Sequence, residues 1–310
     1  MNNLLETYLD DYLLYCTTQK RLDSKTLKAY RIDLHQFLIS AKLDSFNELS
    51  AEPIEQYISQ LHQSYKPKTV KRKIASLKAF CHYLECKNYI QINPFHRIQT
   101  KFREPFVLPK TIPLQTIEKL LCTIYNTKNT AKSSFQKKNA IRDAAVIELL
   151  FATGMRISEL CSLRIKDVNL QTQSILIFGK GAKERIIQIP NPNTLSLLQE
   201  YQNNFYSQMK LCNHFFVNQN GTALSDQSIR RMISKYCIKA SINQHITPHM
   251  FRHTFATGLL EADVDIRYIQ DMLGHSSISI TEIYTHVSMS KQREILQTKH
   301  PRLGLKIYEK

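Results

Sequence analysis

The chain has 310 residues, 43% of them hydrophobic and 22% charged, which is ordinary for a globular protein and long enough for two domains with separate cores. Its formal net charge of +16 is not ordinary and points to a polyanionic partner, nucleic acid ahead of a membrane surface. No run approaches the roughly 18 apolar residues of a membrane span, and Met1–Glu6 lacks the basic and apolar regions of a signal peptide, so the expectation is a cytoplasmic protein with no membrane partner.

Residues 1–100 carry 14 Lys and Arg against 10 Asp and Glu, and the remainder carries 28 against 16, so both parts are basic, as two parts touching one long polyanion would be. The seven cysteines are odd in number, scattered, and form no C-x-x-C pair. They read as reduced thiols, not as a disulfide framework or a zinc site.

Four amphipathic helices are predicted in the first hundred residues. Leu4, Leu5, Tyr8, Leu9, Tyr12, Leu13 and Cys16 recur at helical spacing. A second helix follows the N-cap candidates Asp23 and Ser24 and carries Leu27, Tyr30, Leu34, Phe37 and Leu38. A third holds Ile54, Tyr57, Ile58 and Leu61. The fourth opens at Pro67, a good first-turn residue, and carries Val70, Ile74, Leu77, Phe80, Cys81 and Leu84 on one face. Its other face makes Lys68, Lys71, Arg72 and Lys78 candidate contacts to DNA phosphates, with a merely solvated basic face as the competing reading. Segment 99–113, punctuated by Pro105, Pro109 and Pro113 and without periodicity, reads as an extended linker. The expected domains are therefore 1–98 and 114–310.

The second domain is expected to be mainly α with a small antiparallel β-sheet. Helices are predicted over Leu114–Ile124, Ala140–Ala152, the latter stopping at Gly154, and Arg156–Leu163. Between the first two, Asn126–Lys138 reads as a polar loop whose four lysines suggest an extra backbone contact. Ser174–Phe178 and Arg185–Ile189 are β-rich runs around Gly179-Lys180-Gly181-Ala182-Lys183-Glu184, hence a hairpin. Helices follow near 193–209, 226–240, 248–261, 264–273 and 277–284.

Several residues in this half suit phosphodiester chemistry. A side-chain hydroxyl that cuts such a bond needs charge stabilisation of the non-bridging oxygens, a general acid for the leaving oxygen, and positioning. Arginine's planar fork matches two phosphate oxygens and keeps its charge, so Arg156 and Arg252 are candidate clamp residues. The competing reading for Arg156 is a structural pair with Glu159. His249 and Arg252 stand at i and i+3 behind Thr247-Pro248, on one helix face. A His249–His253 metal pair is the alternative, but it lacks the glutamate of H-E-x-x-H and a third ligand, so no metal is expected. Lys180, between two glycines at the hairpin tip, suits a general acid, and its neighbour Lys183 is the residue it is most easily confused with. Tyr284 is one of fifteen tyrosines, singled out by Thr281, Thr285, His286 and the nearby His275. A phenol of unperturbed pKa about 10 becomes a nucleophile only where cations favour the phenolate.

In this order, Arg156, Lys180, His249, Arg252, His275 and Tyr284 resemble the catalytic set of the tyrosine recombinases, the phage integrase family. The Xer-type recombinases are the nearest likeness. Ala152-Thr153-Gly154-Met155-Arg156-Ile157-Ser158-Glu159-Leu160, Gly179-Lys180-Gly181-Ala182-Lys183-Glu184-Arg185 and Leu273-Gly274-His275-Ser276-Ser277-Ile278 carry the resemblance. It implies an N-terminal four-helix SAM-like core-binding domain and a C-terminal mixed α/β catalytic domain. It also implies a 3′-phosphotyrosyl link to Tyr284, Arg156 and Arg252 on the non-bridging oxygens, and Lys180 protonating the leaving 5′-oxygen. His249 would assist proton transfer and His275 would stabilise the transition state. No cofactor is implied. The partner would be double-stranded DNA with a specific site, held by a homotetramer or heterotetramer on two such sites. The role would be Xer-like resolution of chromosome dimers or movement of a genetic element. The apolar tail with Leu303, Leu305, Ile307 and Tyr308 would dock on a neighbouring protomer, against the alternative that it folds onto its own domain. The remaining readings are a type IB topoisomerase and a silent DNA-binding accessory protein.

Overall fold

The computed structural model describes residues 3–41, 49–103, 110–179, 184–262, 264–274 and 289–305. Contacts divide the chain into two units, Met1–Val107 and Leu108–Lys310, a division that falls inside segment 99–113. No helix among the described residues is long and apolar enough to cross a membrane.

The first unit contains α1 (Asn3–Thr18), α2 (Ser24–Ala41), α3 (Ala51–Ser64) and α4 (Pro67–Cys86). Asp23 starts α2 by accepting hydrogen bonds from the amide and hydroxyl of Thr26, at 2.9 and 2.8 Å. Leu9, Tyr12, Leu34, Phe37, Ile54, Val70, Leu77 and Phe80 converge in one buried core. Asp33 is a charged residue buried beside this core. It is 2% exposed on α2 and accepts from Lys73 Nζ and Ser76 Oγ, both at 3.1 Å, and from Arg72. Lys73 is itself 3% exposed, so a basic residue of α4 is turned inward to meet that carboxylate.

In the second unit, α5 (Leu114–Asn129) and α6 (Ser134–Thr153) are both longer than the apolar pattern suggests. The polar segment 126–138 is therefore not a loop but two helix ends joined by a short turn. Polar side chains close those ends without an apolar stripe. Ser133 Oγ accepts the Gln136 amide at 3.2 Å, Thr127 and Thr130 each donate to the carbonyl four residues back, and Lys128 reaches Glu200 at 3.0 Å.

Helix α6 is buried nearly all round over its last three turns, as a helix through the middle of a domain must be. It packs against α5, α8 (Pro192–Cys212) and α10 (Pro248–Glu261). It ends at Gly154, whose φ of 59° is the left-handed cap that glycine permits. A Cβ there would lie 2.6 Å from the Phe255 ring. The short α7 (Ile157–Ser162) follows, then a three-stranded antiparallel sheet in the order β1 (Val168–Asn169), β2 (Ser174–Phe178), β3 (Glu184–Gln188). The register pairs Ile175 with Ile187 and Ile177 with Arg185, which puts Arg185 on the buried face. Helix α9 (Asp226–Lys239) and α11 (Ile266–Leu273) complete the frame around the site.

The last described residues lie on their own unit. Helix α12 (Met289–Lys299) packs on β3, and a single turn over Pro301–Gly304 packs on α10. Gly258 allows that approach, because a Cβ there would meet Pro301 Cγ at 2.3 Å. Arg302 Nε and a terminal nitrogen reach the two oxygens of the fully buried Glu148 at 3.2 and 3.1 Å. His300 Nδ1 accepts the Arg302 amide at 2.8 Å, which leaves the proton on Nε2 to be shared between the Phe151 and Ala152 carbonyls at 3.2 and 3.1 Å. Ile307 and Tyr308 lie outside the described residues.

Two predictions follow from these buried charges. Asp33→Ala strands Lys73 in the core, so urea unfolding of the full chain should show a loss of about 3–5 kcal/mol. Asp33→Leu with Lys73→Met should recover most of it, and an equal loss in the double variant would contradict the pairing. Burial pushes His300 down to about 4. The unfolded chain therefore binds a proton that the folded one refuses, so stability is full above about pH 6.5 and falls as the pH drops towards 4, by up to about 3 kcal/mol. His300→Gln, which can still donate to the carbonyls, should flatten that part of the profile.

Candidate active site

Three helix ends meet around the segment Gly154–Glu159. Arg156 precedes the first turn of α7, and Glu159, three residues on, accepts the Arg156 backbone amide at 2.8 Å and its guanidinium at 2.7 Å. The pair expected as an alternative thus exists. The Arg156 side chain nevertheless keeps 31% exposure, so the pairing orients it without enclosing it.

Arg252 is the opposite case, 5% exposed on α10. It donates to the Gly154 carbonyl at 3.0 Å and the Leu273 carbonyl at 2.7 Å. Both acceptors are at helix C-termini, where carbonyls lack intrahelical partners and the dipole favours a cation. Burial, then the Arg156 charge, lower Arg252 to about 10, still protonated at neutral pH. His249 lies one turn earlier on α10, exposed at the surface. Partial burial and then the charges of Arg230, Arg252 and Arg156 hold its imidazole below the ordinary value. It is therefore neutral at pH 7, able to take or pass a proton.

Two contributors went unrecognised at the level of sequence. Arg185 on β3, with a 9% exposed side chain, donates to both Glu159 oxygens at 3.1 and 2.8 Å and to the Met272 carbonyl at 2.9 Å. The signal for it was its phase, two and four residues before the inward Ile187 and Ile189. Arg230, on α9, had no sequence signal, since it is one of many exposed basic residues. Burial alone would raise the Glu159 carboxyl, but hydrogen bonds and charge from Arg185, then Arg156, more than reverse this and hold it below the usual carboxylate range.

Lys180, Lys183, His275 and Tyr284 lie outside the described residues. The flanking residues are placed: Gly179 and Glu184 border the hairpin tip, and Gly274 ends α11 one residue before His275. In the first unit, Lys68, Lys71, Arg72 and Lys78 are all exposed on α4, with Arg72 also held by Asp33. Among the described residues, no three His, Cys, Asp or Glu side chains converge as metal ligands.

Arg230→Gln removes one of the positive charges that keep His249 low. Its titration, followed by NMR on the free protein, should therefore move up towards about 6.5. A midpoint that stays put or falls would remove Arg230 from this electrostatic account.

The chain's similarities agree with this chemistry. Residues 116–291 match the phage integrase family, and residues 9–88 match the phage integrase N-terminal SAM-like domain. A tyrosine recombinase of Agathobacter rectalis is 62% identical over 302 residues, covering 97% of this chain and 98% of that one. Tyrosine recombinase XerD of Staphylococcus haemolyticus is 36% identical over 305 residues, covering 96% of this chain and all of the relative. The fold is also that of the XerH site-specific recombinase in its post-cleavage complex with palindromic difH DNA, at a TM-score of 0.67 and 22% identity over 95% of this chain and 82% of that one. With family matches in both units, the chain belongs to the phage integrase family, as an Xer-like tyrosine recombinase that breaks and rejoins DNA strands.

Proposed function

We propose that this chain recombines double-stranded DNA at a specific site through a covalent 3′-phosphotyrosyl intermediate on Tyr284. Attack by the Tyr284 oxygen on the scissile phosphorus, as the phenol proton passes to neutral His249, breaks the bond to the 5′-oxygen, which leaves as a hydroxyl after taking a proton from Lys180. Arg156 and Arg252 hold the non-bridging oxygens. His249 assists proton transfer and His275 stabilises the transition state. Water stays out of the balance sheet, because the phosphotyrosyl bond conserves the phosphodiester and the incoming 5′-hydroxyl reverses the step.

One observation carries this reading. Arg252 hydrogen-bonds the carbonyl of Gly154, two residues before Arg156, so two guanidinium groups from different helices are tied to one turn. Neutral His249 lies within the influence of both charges. Such donors, fixed before substrate arrives, favour charge that develops on a phosphate.

Joining two duplexes needs four cuts, and each chain carries one such tyrosine, so the working assembly is a homotetramer or a heterotetramer on two sites, in the cytoplasm. The exposed lysines of α4 suit backbone contacts to the same DNA. Exchange of the tail onto a neighbouring protomer belongs to the same proposal. It would have to break or re-form the Arg302–Glu148 and His300 contacts.

The test uses a pool of nicked suicide duplexes with a randomised centre, from which covalently trapped DNA is recovered and sequenced. The full chain should trap a defined sequence, and Tyr284→Phe should bind it without trapping. Arg156→Ala or Arg252→Ala should slow cleavage about 10²–10³-fold at unchanged affinity. Trapping by Tyr284→Phe would refute the nucleophile. Trapping of any sequence alike would favour a topoisomerase, and binding without trapping by the native chain a silent accessory protein.

A further inference from the structure

Arg185 is the residue through which the parts of the site are joined. Strand β3 opens at Glu184, four residues after Lys180 in the sequence, and Arg185 is its second residue. From there one guanidinium spans to α7 and to α11. Two of its nitrogens meet the two oxygens of Glu159, at 3.1 and 2.8 Å, and its Nε meets the Met272 carbonyl at 2.9 Å. The next carbonyl, Leu273, receives Arg252 at 2.7 Å. Arg252 then reaches Gly154, and Glu159 reaches Arg156. The contacts close a ring: Arg156, Glu159, Arg185, the end of α11, Arg252, Gly154, and back along the chain to Arg156.

Three features show that this place is built for an arginine. The side chain is 9% exposed, and the carboxylate it grips is 4% exposed. Gly274, with φ 62°, leaves room for it, because a Cβ there would lie 3.0 Å from an Arg185 terminal nitrogen and 3.1 Å from its Cδ. Only a planar fork with a separate Nε–H satisfies a carboxylate and a carbonyl together, and lysine offers a single point of charge.

We propose that Arg185 is a positioning residue for strand cleavage. It touches no DNA. It fixes Glu159, and through it Arg156, and it holds the α11 terminus on which Arg252 rests. This inference rests on the proposed function, and the test below separates the two.

Cleavage of the trapped duplex is measured with the native chain, Arg185→Lys, Glu159→Gln, Arg156→Ala, and the double variant Arg185→Lys with Arg156→Ala. Affinity and melting temperature are measured beside it. Each is repeated with a methylphosphonate at the scissile position, which removes one charged oxygen and with it much of the need for a clamp. If the native chain forms no adduct, the proposed function fails before Arg185 is reached. If it does, Arg185→Lys should bind DNA as tightly as the native chain and cleave about 10²-fold more slowly, the scale of loss a small misplacement brings. That loss should shrink on the methylphosphonate, as it should for Arg156→Ala, and it should shrink in the Arg156→Ala background to the part that acts through Arg252. A merely structural arginine would give a loss indifferent to the methylphosphonate and mirrored in the melting temperature. An arginine that met the phosphate directly would give losses that add in the double variant. Either result, or native cleavage by Arg185→Lys, overturns the proposal. Glu159→Gln reports on the same link should the Arg185 variant fail to fold.

Discussion

The Glu159 carboxylate, buried between the guanidinium groups of Arg156 and Arg185, is the interaction on which the site depends. The site gathers the like charges of Arg156, Arg185 and Arg252, and those charges repel one another. Glu159 offsets two of them. The carbonyls of Gly154 and Leu273 offset Arg252, and that of Met272 adds to the hold on Arg185, at helix ends whose orphan acceptors and dipoles favour cations. The remaining repulsion is visible in the titrating groups. Arg252 falls to about 10 and His249 is also lowered, each first by burial and then by neighbouring positive charge. Removing Glu159 would leave Arg185 buried beside Arg156 with no carboxylate between them.

Helix α6 turns that local balance into a property of the whole second unit. Its last residues carry the site at one point and the tail at another. Gly154 takes Arg252, while the carbonyls of Phe151 and Ala152, three and two residues earlier, share the proton of His300. One turn deeper, Glu148 takes Arg302. The tail therefore satisfies acceptors that would otherwise end the helix unpaired in the interior, a loss of about 1–3 kcal/mol for each buried group left bare. Arg252 and the tail are two caps on one helix terminus. Gly154 and Gly258, where a side chain would clash with Phe255 and Pro301, mark where backbone must come close for both to fit.

Much of this was legible beforehand. Periodicity located the helices of the first unit because each has one apolar face, and two of them also start recognisably, α2 after Asp23 and α4 at Pro67. The hairpin was legible from two β-rich runs around paired glycines. What failed was the segment 126–138, where hydroxyl and lysine contacts sustain helix ends that have no apolar stripe to betray them. Arg156, His249 and Arg252 were legible as residue types at motif spacings. Arg185 was not singled out, although its alternation with Ile187 and Ile189 already placed a charge on an inward face. A lone residue in a strand reveals its partners only when strands and helices are assembled, and Glu159 and Met272 are 26 and 87 positions away.

Holding arginines in fixed orientations explains why so much structure surrounds so small a site. A divalent cation concentrates its charge and needs only a few ligands to hold it. Arginines spread theirs over planar groups on long, flexible side chains, and they act on a phosphate only if their orientation is settled before it arrives. Lost rotamer freedom of about 2 kcal/mol for each such chain must then be met when the protein folds, not when it binds. Buried Arg252 meets it with two carbonyls, Arg185 with a carboxylate and a carbonyl, and Arg156 with Glu159 alone. That ranking tracks their exposure. Arg156, held on one side by Glu159, keeps the most exposure of the three, at 31%.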